Sequence, residues 1–223
     1  MDRLTRNPVK PIDPVHIGPL NSGDVPYLVS LSWWSPKISK PNFREGSPLY
    51  VNQVVRDVQR LIGDTLASDA FVSVGANMGY MSMYALNRGN PVYAVEPISW
   101  NVAKIVKGIN ANVERGWVDE DVALRRFHLH HSAAGPESLP FFVNIMRPSD
   151  EIGQFNVALL TRESLEQSDL VSETVPLVTV DLLVPDDVAV GVVKIATGQC
   201  ACALQRGAIP RPMPTKASWV PQA

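Results

Sequence analysis

The stretch Phe71-Val72-Ser73-Val74-Gly75-Ala76-Asn77-Met78-Gly79-Tyr80, followed further on by Val92-Tyr93-Ala94-Val95-Glu96-Pro97, decides how this chain is read. An apolar run feeds a glycine turn, a helix-length segment follows, and a second apolar run ends on a lone carboxylate. Gly75 lets the backbone turn sharply and approach a ligand, Gly79 lets the next helix start close to the sheet, and the first-turn amides attract negative charge. Glu96 lies 21 residues beyond Gly75, where an acid reaches a ribose diol once the second strand lies beside the first. A nucleotide-type cofactor site is therefore expected. The same order of elements occurs in α/β proteins that bind nothing there, and the accompanying Glu96-Pro97 tips the reading towards a site. The spacing Gly75-x-x-x-Gly79 is not Gly-x-Gly-x-x-Gly, so a nicotinamide-dependent dehydrogenase ranks lower.

Upstream, Val51, Val55, Val58, Leu61, Ile62 and Leu66 recur at helical spacing, with Arg56, Asp57, Arg60 and Asp64 between them. That pattern predicts an amphipathic helix lying on a sheet. Phe71–Val74 is then the first strand, Met78–Arg88 a helix stopped by Gly89, and Val92–Val95 the second strand. A helix capped by Ser99 or Asn101 carries Val102, Ile105, Val106 and Ile109 inward. Such a β-α-β-α unit calls for a parallel sheet covered on both faces, with right-handed crossovers. Ala123–Ser132 reads as a third strand, with Leu139–Ile145 pairing to it across Gly135-Pro136. Residues 146–174 are mixed, with one helical possibility at Val157–Leu170. After Val178–Leu183 and a turn at Pro185-Asp186-Asp187, Val188–Ile195 reads as a buried β-branched strand.

Both ends differ in character. Residues 1–48 hold eight of the nineteen prolines and show no sustained period, so they read as an irregular arm. Within it, Leu28–Trp34 can add a short strand, with Trp33 and Trp34 anchoring on the core. No Asp or Glu follows Asp187, while Arg206, Arg211 and Lys216 sit among prolines, and this tail has neither helical nor strand period.

Composition narrows the class. A chain of 223 residues that is 45% hydrophobic supports one domain with a sizeable core. A net charge of −2 gives no whole-chain reason to expect nucleic acid or an anionic membrane. Cys200 and Cys202 are too few for a disulfide framework or an unaided zinc site, and no metal is expected. The absence of an apolar leader or an 18-residue apolar run makes a cytoplasmic protein the default expectation.

With these residues in hand, residues 49–195 resemble the front part of an FkbM-type methyltransferase, a Rossmann-like S-adenosylmethionine-dependent family. Val74–Tyr80 resembles its glycine loop. Val95-Glu96-Pro97 with Asn101, Lys107, Ile109 and Asn112 resembles its second strand and helix. His131-Ser132-Ala133-Ala134-Gly135 sits where the third strand and its small-residue turn belong, Val175–Leu183 resembles the run before the fourth strand, and Val192–Ile195 resembles the strand itself. The resemblance implies a three-layer α/β/α sandwich of class I methyltransferase type with a mostly parallel sheet. It departs after Ile195, where an acidic turn is replaced by Ala196-Thr197-Gly198, so the chain reads as lacking the C-terminal strands. Three parts follow: a proline-rich arm (1–48), an incomplete α/β domain (49–195) and a non-matching tail (196–223).

By resemblance, Gly75, Ala76, Asn77 and Gly79 cradle the amino-acid end of S-adenosylmethionine, Glu96 accepts both ribose hydroxyls, and Ser132 and Ala133 lie near the adenine. The sulfonium makes the methyl group electrophilic, so the protein supplies mainly orientation and a dry pocket. The acceptor implied is an oxygen of a sugar or another small polar molecule, and no catalytic base is assignable. The alternative is a truncated, non-catalytic remnant used for cofactor binding or protein contacts. Duller roles also stand open: Asn77 as a helix N-cap, Glu96 as a solvated carboxylate before a turn proline, Asp181 as a cap, and His128, His130 and His131 as an exposed strand face.

Overall fold

The computed structural model describes residues 16–22, 25–31, 53–135, 142–146, 156–159, 171–195 and 218–221. Trp33, Trp34, Cys200, Cys202 and most of the helical possibility at 157–170 lie outside them. The core is a parallel five-stranded sheet built from β3 (Ala70–Val74), β4 (Val92–Val95), β5 (Phe127–His130), β10 (Val190–Ile195) and β11 (Ser218–Pro221), in the order β11-β10-β3-β4-β5. Lys194, Ser73, Ala94 and Leu129 lie side by side across four of these strands, and Lys194 is also in register with Val220 of β11.

Alternation along the strands gives the sheet two different faces. Phe71, Val92, Ala94 and Val192 pack against α1 (Gln53–Gly63), α2 (Tyr80–Asn87) and α3 (Ser99–Glu114), through Val58, Ile62, Met83, Leu86 and Ile105. Val72, Val74, Tyr93, Val95 and Ile195 face the other way, onto Leu183 and Val184, which follow β9 (Val171–Val178) and a 3₁₀ turn at Val180–Leu182. Helices thus cover one face as expected. On the other, among the described residues, the cover is an irregular segment in place of the helical layer.

Several expectations are corrected. The arm contains an antiparallel hairpin, β1 (His16–Ser22) paired with β2 (Val25–Leu31), and Tyr27, Leu28 and Val29 are buried. Its placement follows from α2, where Met81 to Leu86 are all buried. A helix apolar all round needs cover on both sides, and β2 supplies the outer one, with the Tyr27 ring edge-on to Tyr80 and Tyr84 at 5.9 and 5.7 Å. Residues 120–126 form helix α4 (Glu120–Arg126), so the third strand is shorter than expected. Asp119 accepts from the Val122 amide at 3.2 Å as its N-cap, with Glu120 and Asp121 in the first turn and Arg125 and Arg126 in the last, which suits the helix dipole. Residues 142–146 do not pair with β5. Strand β7 (Phe142–Met146) lies in a second sheet of order β6-β9-β7-β8, with β6 at Ala133–Ala134 and β8 at Asn156–Leu159. Finally the sheet does not stop at β10, because β11 from the tail adds a fifth parallel strand.

Asn112 fastens the hairpin. This residue is fully buried, and its amide oxygen accepts from the Leu28 N–H at 2.9 Å and from Asn87 Nδ2 at 3.0 Å. Its Nδ2 donates to the Leu28 carbonyl at 2.8 Å and to the Gly108 carbonyl at 2.7 Å. Every bonding position of the amide is used, and to Leu28 the side chain behaves as a neighbouring strand would. Asn112→Ala would leave both buried main-chain groups of Leu28 unanswered, at about 1–3 kcal/mol each. Denaturant unfolding should show a loss of about 3 kcal/mol; a change under about 1 kcal/mol would contradict this role.

Candidate functional site

All strands of the main sheet end at one edge, and there the glycine loop and Glu96 meet. The loop is left-handed three times within five residues, at Gly75 (φ 71°), Asn77 (φ 55°) and Gly79 (φ 78°). Gly75 is followed by a double anchorage, since the Gly75 and Ala76 amides both donate to the Val95 carbonyl at 2.9 and 3.0 Å. Asn77 tolerates its left-handed backbone because its own Oδ1 accepts from the Met78 amide at 2.7 Å. It is not the N-cap of α2; Gly79 holds that position. A Cβ on Gly79 would stand 2.9 Å from Ile105 of α3, so the close approach that requires glycine is between two helices and not between helix and sheet.

Glu96 is 3% exposed and is no solvated carboxylate. Its Oε2 accepts from the Asn77 amide at 2.6 Å, and its Oε1 accepts from the Ile98 amide at 3.1 Å and from Asn101 Nδ2 at 3.0 Å. The carboxylate therefore points at the glycine loop and ties it to the start of α3. Burial pushes its pKa up, opposed by the bonds from Asn101, Asn77 and Ile98 and by the charge of Lys194. Asn101, expected only as a cap, instead orients this carboxylate.

Lys194 is a site residue that sequence reasoning passed over. It is 5% exposed, stands in β10 on the helical face, and donates from Nζ to the Gly75 carbonyl. Burial pushes its pKa down to about 8, opposed by Glu96. The signal was present: a single lysine within Val190–Ile195, a run otherwise suited to a buried strand, needs a buried counter-charge.

Ser132 and Ala133 follow β5, one strand away from Glu96, and the Glu96 and Ser132 amides both donate to the His130 carbonyl at 3.0 Å. Both residues are buried, and the Ser132 hydroxyl has no hydrogen-bond partner among the described residues. Ala133 packs with Ile98, Val175 and Leu177 in a small apolar cluster, so β9 covers this corner. The three histidines do not form one exposed face: His128 stacks on Tyr93 at 4.5 Å, His130 is partly buried with its pKa lowered by burial and by His128, and His131 contacts the Pro97 carbonyl at 3.1 Å. Among the described residues no group of three or more His, Cys, Asp or Glu could hold a metal ion, and no helix is long and apolar enough to cross a membrane. An open groove of about 560 Å³ lies at the opposite edge of the sheet, between α3 and α4, lined by Val106, Ile109, Val113, Leu124 and Phe127 among others. It is separate from the glycine loop.

The buried pair has a defined pH signature. An unfolded lysine titrates near 10.5 and Lys194 in the fold near 8, so between these values the unfolded chain binds more protons and stability from this group rises with pH. Glu96 acts with the opposite sign: its raised pKa makes stability fall as pH rises from 4.5 through the folded value. Thermal melts should therefore show a rise between pH 8 and 10 that Lys194→Met lacks. Removing one partner should cost about 3–5 kcal/mol, and Lys194→Met/Glu96→Gln should cost less than the sum of the singles. Additive losses would show that the two charges do not interact. Comparisons of the chain with protein-family models, curated proteins and solved structures find no match, so the role of this site rests on its chemistry.

Proposed function

We propose that the crevice over the glycine loop binds S-adenosylmethionine, and that the chain carries a Rossmann-like fold of class I methyltransferase type resembling the FkbM family. The observation that carries this is the bond from the Asn77 amide to Glu96. A glycine loop that receives a pyrophosphate needs its amides free and its surroundings positive. Here the amide is already answered by a buried carboxylate, which repels phosphate and suits a ligand with hydroxyls and a positive sulfur. That argues against a nicotinamide dinucleotide. The strand order supplies further support: β3 leads to β4 and β5 in one direction, while β10 lies on its other side, and ligands of open α/β sheets sit where the order reverses.

Three of the carboxylate's acceptor positions are occupied, out of about four. One ribose hydroxyl can bond directly, and a second has to displace the Ile98 amide or Asn101. The substrate implied is a small polar molecule methylated on oxygen. A non-catalytic binding remnant is the second reading, favoured by the apolar cluster of Ile98, Ala133, Val175 and Leu177, which fills the corner assigned to adenine.

Calorimetric titration tests the cofactor. S-adenosylmethionine should bind the wild type, NAD should not, and Glu96→Ala should weaken binding at least about tenfold, since a hydrogen bond to a charged group contributes about 1.5–3 kcal/mol. No heat with the wild type, or equal affinity in Glu96→Ala, would overturn the assignment. Methyl transfer from labelled cofactor to hydroxylated acceptors then separates an enzyme from a remnant.

A further inference from the structure

The glycine loop is held from two sides by strands that flank β3. From β4 come the Val95 carbonyl, which takes the Gly75 and Ala76 amides, and Glu96, which takes the Asn77 amide. From β10 comes the Lys194 ammonium, bonded to the Gly75 carbonyl. The loop thus gives its N–H groups to one strand end and a C=O to the other. We propose that Lys194 is the positioning residue of this site: with Glu96 as its buried counter-charge, it clamps the glycine loop in the left-handed shape that a ligand meets, and loss of its proton loosens the loop.

Charge is central to this clamp. An ammonium donates a stronger hydrogen bond than a neutral amine, and only the ammonium offsets the buried carboxylate. Among the described residues the surroundings offer no substitute. In register beside Lys194 stand Ser73 on β3 and Val220 on β11. α1, which packs on β10, turns Val58, Gln59 and Ile62 inward, while its Asp57 and Arg60 approach each other at 3.9 Å on the outer side. α2, which packs on β3 and α1, carries Tyr80, whose phenol is pushed up by burial and Tyr27 and so stays neutral. Among the described residues the charge that acts on Lys194 is that of Glu96. Global stability and loop order should then respond to alkali in opposite senses. Stability rises as the buried amine sheds its charge, while the loop loses its anchor.

This inference rests on the cofactor reading only for its consequence in binding, and a ligand-free measurement tests it separately. Hydrogen exchange of the Ala76 and Asn77 amides, corrected for intrinsic base catalysis, should quicken at least tenfold in Lys194→Met, while amides around Asn112 in α3 do not change. In the wild type the same loop amides should lose protection between pH 7 and 9.5, which keeps the test available if Lys194→Met does not fold. Equal loop protection in the variant, or wild-type protection constant across that range, would overturn the proposal. With S-adenosylmethionine as probe, wild-type affinity should fall more steeply above pH 8 than the weaker affinity of Lys194→Met, since the ligand's own amino group titrates equally in both. A wild type that binds none while its loop protection follows Lys194 would overturn the cofactor reading and leave the clamp standing.

Discussion

A carboxylate withdrawn from water has to be answered by donors, and the way Glu96 is answered organises the functional edge of this protein. Its partners come from the glycine loop at Asn77, from the entry to α3 at Ile98, and from the first turn of that helix at Asn101. One buried carboxyl group therefore fixes how β3, β4 and α3 meet. The left-handed angles at Gly75 and Asn77 reverse the backbone where the Asn77 amide meets that oxygen. Lys194 completes the arrangement from β10 and reduces the penalty of burying the carboxylate.

A second constraint acts away from that edge. Helix α2 is short and buried without interruption from Met81 to Leu86, so the sheet alone cannot cover it. Hairpin β1–β2 lies over it as a buttress on the helical side, with β2 against α2 and α3. The hairpin is thus part of the core, and its prolines coexist with strand because Tyr27, Leu28 and Val29 are turned to the interior.

What was legible in the sequence and what was not divides along physical lines. The strands at 71–74, 92–95 and 190–195 and the helices after the first two were readable because apolar runs and a 3.6-residue period are local signals. The meeting of the glycine loop with Glu96 was readable for the same reason, since a short crossover leaves little choice of geometry. The hairpin was hidden because its partner is an asparagine side chain far along the chain, though the all-round apolar character of Tyr80–Asn87 announced a missing cover. Helix α4 was missed although Asp119, its acidic first turn and its basic last turn spell a capped helix; the alternation of Phe127 and Leu129 with histidines outweighed them. Strand β11 gave no period, because Ser218–Pro221 is four residues long and takes its register from β10. Lys194 was passed over although a lone charge in a buried strand calls for a counter-charge, because only the fold brings Gly75 and Glu96 to it.

The fastening of Leu28 by Asn112 also sets an order of assembly. These residues are 84 apart in sequence, and Asn112 is oriented by its bond to Gly108 one helical turn earlier, so the dock does not exist until α3 has wound. On a ribosome adding about 5–20 residues per second, the hairpin emerges roughly 4–17 s before its receptor. The hairpin is thus made long before Asn112 can hold it, and until α2 and then α3 emerge its buried residues Tyr27, Leu28 and Val29 have no cover.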